Sequence, residues 1–171
     1  MNDLLFIPFQ DYLKQLCIQH VDVLHVDFVH VACIRFQSDE DLNQLPHHAG
    51  SMLVVVDNFI GRAVGDPDQQ MMRQIVTLLF LKRTATGTTG DPAGEVMAAQ
   101  TKALDVMFQF YARMCHDKQV DDCGILRYLN TESMNWAPVD GPVLENHYGW
   151  EMSIPFDARF PGYDPLKWNE L

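Results

Sequence analysis

Residues 91–114, DPAGEVMAAQTKALDVMFQFYARM, contain the strongest periodic pattern in the chain and decide its fold class. Asp91 is a good helix N-cap, and Pro92 suits the first helical position because that position needs no N–H partner. The apolar residues that follow recur every three or four positions over about five turns, which is typical of an amphipathic helix. They are Val96, Ala99, Ala103, Val106, Met107, Phe110, Tyr111 and Met114. We therefore expect one long helix whose apolar stripe packs against another layer.

Two stretches before this helix predict a pair of β-strands. Residues 51–60, SMLVVVDNFI, and residues 71–83, MMRQIVTLLFLKR, are rich in β-branched and large apolar side chains. The connection between them, Gly61–Gln69, contains glycine, proline and aspartate, which favour a turn or an exposed loop. We expect the two strands to pair in antiparallel fashion.

The N-terminal part of the chain predicts a helix and a further strand. Phe9–Leu24 has the three- and four-residue apolar spacing of an amphipathic helix. Phe28–Phe36 carries apolar residues on both faces, which is typical of an interior strand. The acidic stretch Asp39–Leu45 predicts a short helix that Ser38 caps.

Three more strands are predicted after the long helix. Gly124–Thr131 and Glu145–Phe156 have strand composition, and Ser133–Val143 predicts a short strand plus a turn at Asp140-Gly141-Pro142. The order of elements describes an α+β fold: a mainly antiparallel sheet flanked by an N-terminal helix and one long central helix.

Length and composition favour one domain. The chain has 171 residues, and we predict a single α+β domain over residues 1–156, followed by an extended aromatic tail over residues 157–171. Hydrophobic residues make up 47% of the chain and charged residues 20%, so we expect folding without metal or disulfide bonds. Widely spaced cysteines predict reduced thiols, mostly in the core. They are Cys17, Cys33, Cys115 and Cys123.

The charge balance disfavours anionic partners. Twelve lysine and arginine residues against 23 acidic residues leave a net charge of −11, which repels phosphate backbones and anionic lipid. The sequence has no apolar run near the roughly 18 residues that a membrane span needs. The first residues lack the basic region and cleavage site of a signal peptide, so we expect a soluble, unsecreted protein that does not bind membranes.

Residues that carry chemistry form no recognisable catalytic or metal-binding pattern. His20 and His25 are five residues apart, which does not place two imidazoles on one helical face. Cys115 and His116 are consecutive, and on a helix consecutive side chains point about 100° apart, so they cannot form a nucleophile–base pair. GxSxG, P-loop, GxGxxG and zinc-spaced motifs are absent from the sequence. We predict no catalytic residue, no metal and no cofactor.

Large aromatic residues concentrate toward the C-terminus. The segment FPGYDPLKW, residues 160–168, is broken by proline and glycine and is too short to form its own core. Such a segment anchors in a groove of the same chain or of a neighbouring subunit. The small, polar stretch Thr84–Gly94 before the long helix suits a loop that orders on a partner.

A further pattern covers residues 98–168. It consists of the helix with Gln100, Lys102, Ala103, Asp105 and Met107, the stretch Gly124–Leu129, a polar hairpin, Tyr148–Phe156 and the closing Asp164–Trp168. This pattern resembles small proteins of phage and prophage tail modules of Bacteroidetes. Tail-terminator and tail-completion (neck) proteins are the nearest functional group.

The resemblance implies a structural subunit that assembles with itself into a ring, often a hexamer. Such a ring joins the tail tube to the head connector in the virion, after assembly in the host cytoplasm, and DNA passes through its lumen without specific binding. The resemblance implies no cofactor and no turnover. The residues leave open whether the chain is a terminator, a connector or a tube-like subunit. We expect subunit contacts at Thr84, Thr86, Thr88, Thr89, Phe160, Tyr163, Leu166 and Trp168.

A second hypothesis is a small soluble enzyme or ligand-binding domain. Its site would be a pocket between the sheet and the helices, with His30, Cys33 or His147 as the polar groups.

Overall fold

The computed structural model describes residues 6–23, 33–35, 52–65, 71–84, 91–120, 124–143 and 146–159. In these residues two α-helices pack on one β-sheet. The helices are α1 (Phe6–Gln19) and α2 (Pro92–Val120). The strands are β1 (Cys33–Arg35), β2 (Met52–Val64), β3 (Met71–Arg83), β4 (Asn135–Pro138) and β5 (His147–Arg159). Two short 3-10 helices, Leu126–Tyr128 and Thr131–Ser133, lie between α2 and β4.

The sheet is mainly antiparallel. Its strand order is β1-β2-β3-β5-β4. The pairs β2–β3, β3–β5 and β4–β5 are antiparallel, and β1 runs parallel to β2. This arrangement, with an N-terminal helix and a long central helix, confirms the predicted α+β fold. Within the described part of the chain, neither helix is long and apolar enough to cross a membrane.

Helix α2 follows the predicted pattern closely. The N–H of Gly94 donates to Oδ1 of Asp91 at 3.0 Å, so Asp91 is the N-cap and the helix begins at Pro92. The residues of the predicted stripe face the sheet, with Val96 and Tyr111 half-buried. Its fully buried members are Ala99, Ala103, Val106, Met107, Phe110 and Met114.

Helix α1 ends earlier than predicted. The apolar spacing predicts Phe9–Leu24, but the helix spans Phe6–Gln19. A turn follows it, in which the N–H of Val23 donates to the carbonyl oxygen of His20 at 3.1 Å. Val21 was included in the predicted apolar stripe, yet this turn leaves it 75% exposed.

Strands β2 and β3 form the predicted antiparallel pair and extend further than predicted. Gly61–Val64 continue β2 by pairing with the first residues of β3, so the prediction of a loop from Gly61 onward is wrong at these four positions. Backbone pairing tolerates glycine and exposed side chains near a strand end. Gly65 then bends the chain with a φ of +97°, a left-handed value that glycine adopts without strain.

The predicted strand Gly124–Thr131 is wrong, because this stretch contains the 3-10 helix Leu126–Tyr128 and the first residue of the 3-10 helix Thr131–Ser133. Leu126 and Leu129 are buried and three residues apart, which matches one turn of a 3-10 helix. The side chain of Asn130 caps the second helix, since its Oδ1 accepts from the N–H of Ser133 at 3.1 Å. Local turns therefore replace a strand ladder here, apart from one bridge between Leu129 and Phe156.

The remaining strand predictions differ in detail. Cys33–Arg35 form β1, which lies next to β2 at one end of the described strand order. The other residues of the predicted strand Phe28–Phe36 lie outside the described residues, so its interior position stays a prediction. Strand β5 continues to Arg159, three residues past its predicted end. The predicted helix Asp39–Leu45 lies outside the described residues.

Alternation along β3 divides the sheet into two faces. Val76, Leu78 and Phe80 are fully buried in one core cluster with residues of both helices, and we call their side the helix face. The other side, which we call the second face, carries Leu79 and Leu81 and a smaller cluster. Strand β5 follows β3 without a register shift, so its faces are assigned by the same alternation.

Candidate functional site

Three aromatic side chains meet where α2 passes β4, the last strand in the order of the described sheet. Trp136 pairs opposite the buried Met152 of β5, so its side chain lies on the helix face. There its ring meets Phe108 edge-to-face, with centroids 5.4 Å apart and planes at 83°. The ring of Tyr111, one turn further along α2, lies 6.3 Å from that of Trp136. We call Phe108, Tyr111 and Trp136 the aromatic surface.

Much of the aromatic surface is open to solvent. Trp136 is 44% exposed and Phe108 is 40% exposed, although both are large apolar side chains. Interface cores are enriched in aromatic residues and depleted in charge, and these three side chains carry no charge at neutral pH. The contact with the Cys115 thiol raises the pKa of Tyr111, which keeps its phenol neutral. The arrangement is therefore suited to binding another apolar surface.

The backbone edge of β4 is poorly suited to adding a further strand. The N–H of Val139 donates to the carbonyl oxygen of Gly149, so by alternation the N–H groups of Asn135 and Ala137 also point toward β5. The outward positions of β4 are Trp136 and Pro138, and proline has no N–H. A short outer strand with proline resists edge-to-edge pairing. Contacts at this edge are therefore expected to come from side chains.

A polar cluster ties the 3-10 segment to the sheet. Asp157 of β5 accepts two hydrogen bonds from Arg73 of β3, at 2.6 and 2.7 Å, and one from Nδ2 of Asn130 at 2.7 Å. Hydrogen bonding to the Arg73 guanidinium is the main reason that the pKa of Asp157 lies below its usual value. Side chains of Lys118, Arg127 and Glu132 line a polar cleft beside this cluster. The cluster holds the strand end and the connecting segment together.

Replacing Asp157 with asparagine is expected to lower the free energy of unfolding by about 1.5–3 kcal/mol at pH 7, the range for hydrogen bonds to charged groups. The folded-state pKa of Asp157 is depressed, so the ion pair stabilises the fold above the unfolded-chain value of about 3.9. This contribution is lost as the pH falls through the folded-state pKa. The difference between wild type and variant should therefore shrink below about pH 4, as measured by urea unfolding at a series of pH values.

Asp105→Asn is the matched control for Asp157→Asn. Asp105 is 54% exposed and its carboxylate lies 3.6 Å from the Lys102 ammonium group. Such exposed pairs contribute less than about 1 kcal/mol. A pH-independent effect of Asp157→Asn, or an equal effect of Asp105→Asn, would contradict a stabilising role for the Arg73 pair.

Polar side chains also join the two helices. Asp117 of α2 accepts hydrogen bonds from the Tyr12 hydroxyl at 2.9 Å and from Arg113 at 2.7 and 2.8 Å. Burial alone would raise the pKa of Asp117, but these hydrogen bonds outweigh burial and lower it. Nearby, His20 accepts from the N–H of Asp22 at Nδ1, so its Nε2 carries the proton that bonds Gln109. These contacts pin α1 against α2.

The structure does not gather the residues of the pocket hypothesis. His147 pairs opposite Arg83 on the second face, away from the layer between sheet and helices. The backbone of Cys33 lies in β1, and His30 lies outside the described residues. In the described ranges no group of three histidine, cysteine or acidic side chains is placed to bind a metal. Of the thiols that the structure describes, Cys17 is buried, as predicted, Cys115 is half-buried, and neither is in a disulfide bond.

Of the predicted interface residues, the structure describes Thr84. Its N–H and its hydroxyl both donate to the carbonyl oxygen of Asn146, at 3.0 and 3.2 Å, which ties the end of β3 to the start of β5. The others lie outside the described residues. They are Thr86, Thr88, Thr89, Phe160, Tyr163, Leu166 and Trp168.

Sequence reasoning missed the aromatic surface as a unit. Phe108 is a large apolar residue that lies outside the buried stripe of α2. This position is the one feature of the sequence that could have indicated an exposed aromatic side chain. Nothing in the spacing between Phe108 and Trp136 indicates that the two rings touch, because β4 reaches α2 only through its pairing with β5.

Comparison with known proteins gives no relative. A scan of protein-family models finds no match to the chain, and neither do the curated proteins or the solved structures.

Proposed function

We propose that this chain is a non-enzymatic structural subunit that assembles with itself into a closed ring through the aromatic surface. The observation that carries the proposal is the exposure of Trp136 and Phe108 beside an outer strand, at 44% and 40%. Exposing two adjoining aromatic side chains to water is unfavourable, so these side chains are well suited to the centre of a protein–protein interface. Buried aromatic residues of this kind supply most of the binding energy in many interfaces.

The charge of the chain supports contact at this surface in particular. Because each subunit has a net charge of −11, two subunits repel each other in most relative orientations. The aromatic surface itself carries no charge, so two copies that meet there avoid direct repulsion between its side chains. The edge of β4 is poorly suited to pairing with another strand, so contact through side chains is favoured there. Strand addition at this edge would lead to open-ended aggregation.

A ring requires a heterologous contact, in which each subunit offers one surface to its left neighbour and a different one to its right neighbour. The aromatic surface occupies one place, at the junction of α2 and β4. A second contact region elsewhere on the chain therefore completes the ring, and the predicted interface residues 160–168 are the part of the sequence that we assign to it.

The place of the ring is proposed from the sequence resemblance. We assign the chain to the bacteriophage neck or tail, as a tail terminator that joins the tail tube to the head connector and resides in the virion. Its partners are then the neighbouring tail-tube and connector proteins. The acidic charge lets DNA pass through the lumen without nonspecific binding.

Negative-stain imaging of the purified full chain tests this proposal. We expect round particles of uniform diameter with a central opening and, on averaging, about six subunits in each. Particles of single-subunit size at all concentrations would contradict ring formation, and open filaments would contradict closure.

A further inference from the structure

We infer that the aromatic surface of one subunit receives the C-terminal segment, residues 160–168, of the neighbouring subunit. This inference rests on the proposed ring, for which it names both contacting surfaces. Three observations carry it: the place where β5 ends, the polar groups that flank β5, and the match between the segment and the surface.

The place where β5 ends allows the residues after it to reach a neighbouring subunit. Strand β5 ends at Arg159, seven residues beyond Met152, which is paired with Trp136. At about 3.3 Å per residue, the strand end lies about 23 Å along the sheet from the aromatic surface. Residues 160–168 span up to about 30 Å when extended, so they can project beyond their own subunit and cover a surface of this size.

The flank of β5 blocks the direct route to the subunit's own aromatic surface. Between Arg159 and the Trp136 position, the N–H of Asn130 donates to the carbonyl oxygen of Pro155 at 2.8 Å, and Leu129 bridges Phe156. The cleft beside them is lined by Lys118, Arg127 and Glu132. An aromatic segment that turned back would have to cross charged side chains, whereas a neighbour's segment reaches the surface from outside.

The chemistry of the segment fits the aromatic surface. Phe160, Tyr163 and Trp168 are spread along it, and aromatic rings pack well against the edges and faces of other rings. Pro161 and Pro165 restrict its backbone toward extended conformations, which reduces the entropy lost on docking. Such proline-restricted segments bind aromatic-lined surfaces in other recognition systems.

Two full-length variants test the inference by complementation. Trp136→Ala keeps the segment but loses the surface, and the double variant Tyr163→Ala/Trp168→Ala keeps the surface but loses the segment. We expect each variant alone to associate roughly 30-fold more weakly than wild type, the effect of losing one interface hot spot. Mixed in equal amounts, the two should form a one-to-one complex, because one intact segment then meets one intact surface. Light scattering and sedimentation velocity measure both results.

Met97→Ala is the matched control, because Met97 is 69% exposed on the same helix but is not part of the aromatic surface. It should associate as wild type does. Circular dichroism establishes that every variant is folded, and Phe108→Ala replaces Trp136→Ala if the latter is not. A mixture that stays monomeric, or single variants that assemble like wild type, would overturn the inference. If only Tyr163→Ala/Trp168→Ala assembles like wild type, the aromatic surface still forms the ring and the proposed function stands. A Trp136→Ala variant that assembles like wild type, or a wild-type chain that never assembles, overturns both.

Discussion

Replacing Phe110 with alanine is expected to lower the free energy of unfolding by about 3–5 kcal/mol. Phe110 is 1% exposed and belongs to the core cluster between the helices and the sheet. Its ring meets that of Phe80 edge-to-face, with centroids 5.2 Å apart, and lies 5.2 Å from the imidazole of His20. Alanine removes these contacts and leaves a cavity that strands and helices cannot fully close. Urea unfolding followed by circular dichroism measures the loss.

Phe108→Ala is the control within the same helix. Phe108 is two residues away and 40% exposed, so its removal should cost the single subunit less than about 1.5 kcal/mol, since little buried volume is lost. The same substitution should weaken self-association, because Phe108 belongs to the aromatic surface. Equal destabilisation by both substitutions would contradict the assignment of Phe110 to the buried side of α2 and of Phe108 to its exposed side.

Replacing Gly149 with alanine is expected to lower the free energy of unfolding by about 3 kcal/mol, at the upper end for overpacked sites. Gly149 lies in β5 opposite Leu81 of β3, at the junction of two central strands. A methyl group there would overlap the backbone carbonyl of Phe80. A backbone group cannot rotate aside as a side chain does, so the two strands must separate locally and lose ladder hydrogen bonds. Thermal unfolding of the variant measures the cost.

Gly61→Ala is the control for this substitution. Gly61 lies in β2 of the same sheet, and an added methyl group would meet no atom within 4 Å. We expect a change in the free energy of unfolding within about 1 kcal/mol, with a stabilising sign because alanine restricts the unfolded chain. Similar losses at both glycines would show that glycine itself, rather than the close approach to Phe80, determines the effect.

The sequence predicted those elements whose capping residues and apolar spacing lie within the element itself. Asp91 and Pro92 mark the start of α2, and the apolar stripe of α2 determines which side faces the sheet. The two long strands were predictable because β-branched and large apolar residues together dominate residues 51–60 and 71–83. The wrong prediction of a strand at Gly124–Thr131 shows that composition alone does not distinguish a strand from a series of turns. There, the three-residue spacing of Leu126 and Leu129 and the cap from Asn130 favour turns over a strand of similar composition.

The candidate site depends on contacts between residues distant in the chain. Phe108 and Trp136 are 28 positions apart, and their rings meet because β4 pairs with β5 on the edge that α2 covers. Arg73 and Asp157 are 84 positions apart and meet through the register of β3 and β5. Neither separation follows a helical or strand period, so no local pattern predicts either contact. The position of Phe108 outside the apolar stripe of an otherwise predictable helix was the one local sign of the aromatic surface.

The native mass of the full-length chain, measured by light scattering over a concentration series, tests ring assembly most directly. We predict a mass that rises with concentration and then stays constant at about six times the 19.6 kDa of one chain, because a closed ring has no free contact left for growth. A mass that stays at 19.6 kDa over the whole series would contradict assembly through the aromatic surface. A mass that grows without limit would contradict closure of the ring.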